Sequence, residues 1–142
     1  MRLGLDLDNT LVYYDQLFID VAKRDGLVPC SWQGNRLQLK EQLKAEGGER
    51  QWMALQGSVY GKDQGQAQVF KGVPLFLLRA RYHQVPIWIV SHKTEYGHFD
   101  ADKVPLRQAA REWLERHGFF AADGFALESD RVYFAATRDE KV

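Results

Sequence analysis

The chain opens on Leu3-Gly4-Leu5-Asp6-Leu7-Asp8-Asn9-Thr10-Leu11-Val12, an apolar run that ends in two carboxylates one residue apart, followed by a hydroxyl. Side chains two apart in an extended chain point the same way. The pattern therefore predicts that Asp6 and Asp8 leave one strand end together, with Thr10 just beyond. Like charges this close repel, and each makes the other harder to ionise. A divalent cation or a cationic substrate clamp relieves that cost, and one carboxylate can then act as nucleophile while the other serves as general acid/base. Read alone, the same residues also suit a plain turn, because Asp and Asn are common turn formers.

The remaining totals narrow the class. A length of 142 residues suits one domain, or a modest core with a small insert. Lys plus Arg equals Asp plus Glu, 19 against 19, so no long-range attraction for nucleic acid or an anionic membrane is expected. No apolar run is long enough to span a bilayer. A strand at the very start leaves no visible signal peptide, and the expected location is cytoplasmic. Cys30 stands alone, which excludes an internal disulfide and any multi-cysteine zinc site; it reads as a partly buried small residue.

Arg2 to Leu7 reads as a strand buried on both faces. Tyr14, Leu17, Phe18 and Val21 form one stripe of a helix over 13–25, which Gly26 ends. A loop follows over 27–34. Leu39 and Leu43 mark a helix over 35–46 stopped by Gly47-Gly48, and Trp52, Leu55 and Val59 mark another over 49–60. Residues 61–68 read as a Gly- and Gln-rich loop or weak helix. Eight of the eleven glutamines fall within 33–68, which predicts a solvated segment. The stretch 15–70 thus reads as a mostly helical insert without a strand, or else as an extension of the core. Beyond it, Pro74 sits in the first turn of a helix reaching about His83. Val85 to Val90 is a second buried strand with Pro86 near its start. A polar loop covers 91–104. Leu106, Ala109, Ala110, Trp113, Leu114 and His117 share one face of a helix over 105–117, capped by Gly118. Phe119 to Asp130 is irregular, and Arg131 to Ala136 is a short third strand with Tyr133 on the opposite face from Val132 and Phe134.

Ser91 directly follows the second strand, in Ile89-Val90-Ser91-His92-Lys93. A hydroxyl at the carboxyl end of a parallel strand faces the crevice where α/β sheets bind ligands. His92 and Lys93 flank it and are candidate substrate contacts, as is Asn9. The histidines do not suggest zinc, which needs three or four converging ligands; His83, His98 and His117 read as surface or packing residues, and Asp100 and Asp102 as facing water. At the end, Thr137-Arg138-Asp139-Glu140 reads as a capping box that opens a helix.

Asp6-Leu7-Asp8-Asn9-Thr10 resembles the first signature of the haloacid-dehalogenase (HAD) superfamily, Asp-x-Asp-x-Thr or Val after a buried strand. Ser91 resembles the second signature, an apolar strand ending in Ser or Thr. The resemblance implies an α/β fold with a HAD-like (Rossmann-like) parallel sheet flanked by helices: a core of residues 1–14 and 71–142, and a helical cap insert of residues 15–70. It implies a Mg²⁺-dependent phosphatase acting on a small phosphomonoester. Asp6 would attack phosphorus to form an aspartyl-phosphate, and Asp8 would protonate the leaving oxygen and then activate water. Thr10, Ser91 and Lys141 would bind the phosphoryl group, Lys141 being the match to the lysine of the third signature. The Asp6 carboxylate and the Asp8 backbone carbonyl would hold the metal.

The acidic pair of the fourth signature has no counterpart here, so Mg²⁺ is expected to bind weakly. The final core strands of the family pattern are also not matched. That leaves the first strand with an open edge, which invites a homodimer or a partner chain. The competing reading is a non-catalytic module of the same lineage that binds a phosphorylated ligand or a protein partner. A nucleotide-binding fragment is disfavoured, since no Gly-rich phosphate loop follows the first strand.

Overall fold

The computed structural model describes residues 1–93 and 104–135. Over them the chain is mixed α/β. In order come β1 (Leu3–Leu5), β2 (Val12–Tyr13), α1 (Asp15–Arg24), α2 (Arg36–Tyr60), β3 (Gln68–Val69), α3 (Val73–Tyr82), β4 (Ile87–His92), α4 (Leu106–Arg116) and β5 (Val132–Ala135). The capping turn at 137–140, Lys141, and the loop residues His98, Asp100 and Asp102 lie outside the described residues.

Strands β1, β4 and β5 form one parallel sheet in the order β1-β4-β5. The register sets Leu5 beside Ile89 and Ser91 beside Phe134. Parallel neighbours need crossover connections, and α3 precedes β4 as α4 precedes β5, the arrangement of βαβ units. Among the described residues β1 pairs on one side only.

β1 differs from the sequence expectation of burial on both faces: Gly4 is exposed, and Leu3 and Leu5 are only partly covered. In β4, Ile87, Ile89 and Ser91 are buried while Trp88 and Val90 are half-buried. The inward residues Ile89 and Val132 share one core cluster with Ala110, Trp113 and Leu114 of α4 and Leu77 of α3. On the outward face two arginines lie over the aromatic residue. The guanidinium of Arg131 lies 4.5 Å, and that of Arg2 5.7 Å, from the Trp88 ring centre.

Residues 15–70 also differ from expectation. They include a strand, β3, whose Gln68 and Val69 pair antiparallel with Tyr13 and Val12. Two-residue strands carry too little alternation to be seen in sequence. Nor is the glutamine-rich part uniformly solvated, since Gln64 is buried. The helices fall where the periodicity placed them. Asn35 caps α2 with a reciprocal capping box to Gln38. The helix then breaks at Gly48 (φ 76°, ψ −177°), between its two apolar stripes.

That break reverses the chain. A straight helix of 25 residues would hold its ends about 37 Å apart. Yet Arg36 Nη2, from the first residue, donates to Tyr60 Oη of the last at 2.8 Å. The inner faces pack on α1, where the Phe18 and Trp52 rings stack at 5.1 Å, while residues 44–50 at the far end are exposed.

Two predictions follow from this packing. The Gly48 conformation belongs almost solely to glycine, so Gly48→Ala is expected to lower unfolding free energy by about 1–3 kcal/mol in a denaturant titration. His117 has a buried Nε2 with no hydrogen-bond partner among the described residues, and its ring lies against Trp113 at 4.4 Å. Burial, aided by Arg116, lowers its pKa from the ordinary 6.5. Between the two values the unfolded chain binds the extra proton, so stability present above pH 6.5 is lost as pH falls through that value. Melting temperature measured from pH 8 down to 5 should show that slope, and His117→Phe should flatten it.

Candidate functional site

The site is built where β1 runs out. After Leu5, the Asp6 Oδ1 accepts the Leu7 N–H at 2.8 Å. The buried Leu7 then anchors a tight turn, its carbonyl accepting the N–H groups of Thr10, Leu11 and Val12 at 3.3, 2.9 and 3.0 Å. Closing so tight a turn forces Asn9 to a positive φ of 63°, a conformation Asn tolerates better than most residues. Asn9 and Thr10 are exposed, and Asp6 and Asp8 are partly buried.

Asp8 is the centre of a converging polar cluster. Its Oδ1 accepts the Tyr14 hydroxyl at 2.6 Å, and its Oδ2 accepts the Lys93 ammonium at 2.8 Å. Lys93 stands one residue beyond β4 and is 4 % exposed. Its backbone N–H is held by the Ala135 carbonyl at 2.9 Å, so β5 fixes the lysine's starting point. The Tyr60 ring centre lies 5.2 Å from the ammonium. A buried lysine is tolerable only with such a partner, since an unpaired interior charge is costly. Two residues back along β4, the buried Ser91 Oγ has no hydrogen-bond partner among the described residues. Buried hydroxyls are nearly always paired, so an orphan at a strand end marks a place for a ligand atom or water.

The segment between α1 and β3 supplies the other half. Gln64, 1 % exposed, donates Nε2 to the Tyr14 oxygen at 2.9 Å. Arg36 Nη1 donates to Asn9 Oδ1 at 2.7 Å and lies 3.4 Å from Asp15, with its guanidinium 4.2 Å over the Phe18 ring. The Tyr14 and Tyr60 rings meet edge to face at 4.7 Å. Burial, and then the neighbouring Asp8, push the Tyr14 phenol well above its ordinary pKa. Burial also raises Tyr60, against the opposing pull of Arg36. Both phenols therefore keep their hydrogens through the neutral range and remain donors.

Of the residues singled out in the sequence, the structure brings Asp8 and Lys93 into contact. It seats Ser91 on the strand beside that of Asp6, and it ties Asn9 to Arg36. Thr10 is at the turn surface, and His92 ends β4 exposed. Sequence reasoning missed Tyr14, Arg36, Tyr60 and Gln64 as parts of the site. Tyr14 reads as one more member of an apolar helical stripe, and no local pattern marks Gln64 or Arg36.

Among the described residues no group of three or more His, Cys, Asp or Glu side chains is placed to hold a metal ion. Mg²⁺ needs fewer: one or two carboxylates, waters and substrate phosphate oxygens suffice. The Asp6 carboxylate and the Asp8 backbone carbonyl are the candidates for such a loosely held ion, beside an Asp8 side chain that accepts from Tyr14 and Lys93. Compared with known proteins, the chain matches no family model and no curated sequence.

The Asp8–Lys93 pair generates a prediction. Lys93→Met leaves the Asp8 carboxylate facing a buried apolar group, and is expected to cost about 3 kcal/mol of unfolding free energy. Asp8→Asn made together with Lys93→Met should recover about 1 kcal/mol or more of that loss, a coupling that a double-mutant cycle by chemical denaturation reads directly.

Proposed function

We propose that this chain is a HAD-like phosphatase that hydrolyses a small phosphomonoester through an aspartyl-phosphate on Asp6, with Mg²⁺ as a weakly held cofactor. The observation that carries the reading is the convergence at the carboxyl ends of two paired parallel strands. Asp6 and Asp8 follow β1, the orphaned Ser91 hydroxyl lies in the last two residues of β4, and the buried Lys93 stands just beyond it on Asp8. Carboxyl ends of parallel strands are where α/β folds gather ligands. An orphan donor with an ammonium two residues on suits a phosphoryl group, which wants fixed positive and hydrogen-bonding groups around its oxygens.

In this reading an Asp6 carboxylate oxygen bonds to phosphorus as the ester P–O bond breaks. The leaving oxygen takes the bond's electron pair and a proton from Asp8, which takes that proton up from solvent as Lys93 turns from its Oδ2 toward the bound phosphoryl group. Water then attacks phosphorus, returns a proton to Asp8 and frees Asp6 as phosphate departs. Ser91 donates to a phosphoryl oxygen. Lys93, released from Asp8 as that carboxyl takes up its proton, offers its hydrogens to the same group and offsets charge that builds up on it. Bound Mg²⁺ would neutralise charge between the Asp6 carboxylate and the phosphate. Lys141 and Thr10 are further candidate contacts to the phosphoryl oxygens, and Asn9 and His92 to the rest of the substrate. The helical segment 15–70 acts as the cap, with Arg36, Tyr60 and Gln64 as its contributions to the site.

The test is release of phosphate from an aryl phosphate with and without Mg²⁺. The expected result is Mg²⁺-dependent turnover that Asp6→Asn abolishes, a fall of about 10³-fold or more for loss of the nucleophile. A folded wild-type chain that releases no phosphate overturns the reading. If that chain still binds a phosphorylated ligand, it is a non-catalytic module.

A further inference from the structure

We infer that Tyr14 and Gln64 form a positioning relay through which the helical segment controls the aim of Asp8. The inference rests on the phosphatase reading and names what regulates that site. Four observations support it. Tyr14 is fully buried, yet its hydroxyl is spent on Asp8 at 2.6 Å, the shortest side-chain contact Asp8 makes among the described residues. A phenol has one hydrogen, so its oxygen is left to accept, and the Gln64 amide fills that role at 2.9 Å. Gln64 is itself 1 % exposed, and its Oε1 has no partner among the described residues. Burying an amide with half its capacity unmet is unfavourable. Packing alone would favour a leucine or methionine here, so the amide is kept for the bond it donates.

The direction of the bonds fixes the order of control. Gln64 donates to Tyr14, which holds the phenol's lone pair and turns its hydrogen toward Asp8. Tyr14 donates to Oδ1, while Lys93 occupies Oδ2. Two donors from opposite sides set the carboxylate plane, as second-layer hydrogen bonds orient reacting groups elsewhere. Gln64 lies in the short turn just before β3, at the end of the helical segment, and Tyr60, which closes α2, packs its ring on Tyr14. Displacement of Gln64 therefore loosens Asp8 through Tyr14. Tyr14 is a positioning residue here, since it reaches the chemistry only through Asp8.

Leaving-group dependence separates this role from a purely structural one. Proton donation by Asp8 matters most when the departing oxygen is strongly basic, and least for a nitrophenolate that leaves unaided. In Tyr14→Phe, kcat for an alkyl phosphate is expected to fall about tenfold or more, kcat for nitrophenyl phosphate to change about twofold or less, and KM to stay near the wild-type value. Gln64→Leu should show the same trend at smaller size, and it carries the test if Tyr14→Phe does not fold, as judged by circular dichroism. A loss of equal size across the substrates, or none in either folded variant, overturns the relay while leaving the phosphatase reading in place. A wild-type chain inactive on every substrate overturns both.

Discussion

A lysine ammonium held out of water beside a carboxylate is the constraint around which the rest of this structure is arranged. Lys93 and Asp8 lie 85 positions apart in sequence, and their contact joins the loop after β1 to the end of β4. The pair is only worth having if both partners are held in place, because a buried charge that loses its counter-ion is strongly destabilising. The surroundings meet that demand. The Leu7 carbonyl gathers three N–H groups to fix the Asp8 turn, Ala135 fixes the Lys93 backbone, Tyr60 gives the ammonium a π face, and Tyr14 takes the second carboxylate oxygen. Strand pairing, turn geometry and aromatic packing all meet at one ion pair.

The fold was legible wherever side-chain periodicity was long enough to be unambiguous. The amphipathic stripes of α1 and α4, the glycine break inside α2, Pro74 in the first turn of α3 and the apolar run of β4 all stand near where the sequence places them. Burial was harder. A run such as Leu3-Gly4-Leu5 looks fully interior because its neighbours are apolar, yet interior position is set by what the rest of the chain lays against it. Here Gly4 is exposed, and arginines lie over Trp88 on the neighbouring strand. The two-residue strands β2 and β3 left no trace, since they owe their existence to each other more than to their own composition.

The candidate site divides along the same line. Asp8, Ser91 and Lys93 could be singled out because they follow recognisable strand ends. Arg36, Tyr60 and Gln64 could not, because their roles depend on tertiary contacts 24 to 50 positions away. Glutamine-rich composition even pointed the wrong way for Gln64: composition reports the average of a segment, whereas a single amide can be carried inward by one hydrogen bond worth making.

The hydrogen bond from Arg36 to Tyr60 also closes a ring. Everything between those two residues is an excursion that departs from and returns to one spot, with its reversal at Gly48 pointing away from the sheet-end cluster. Such a detour is modular. Its outer end, residues 44–50, is exposed on either side of the glycine that turns it, while the two returning side chains stay in register. The end that leans on the Asp8–Lys93 cluster and the end that stands in solvent thus belong to the same helix, separated only by distance along it.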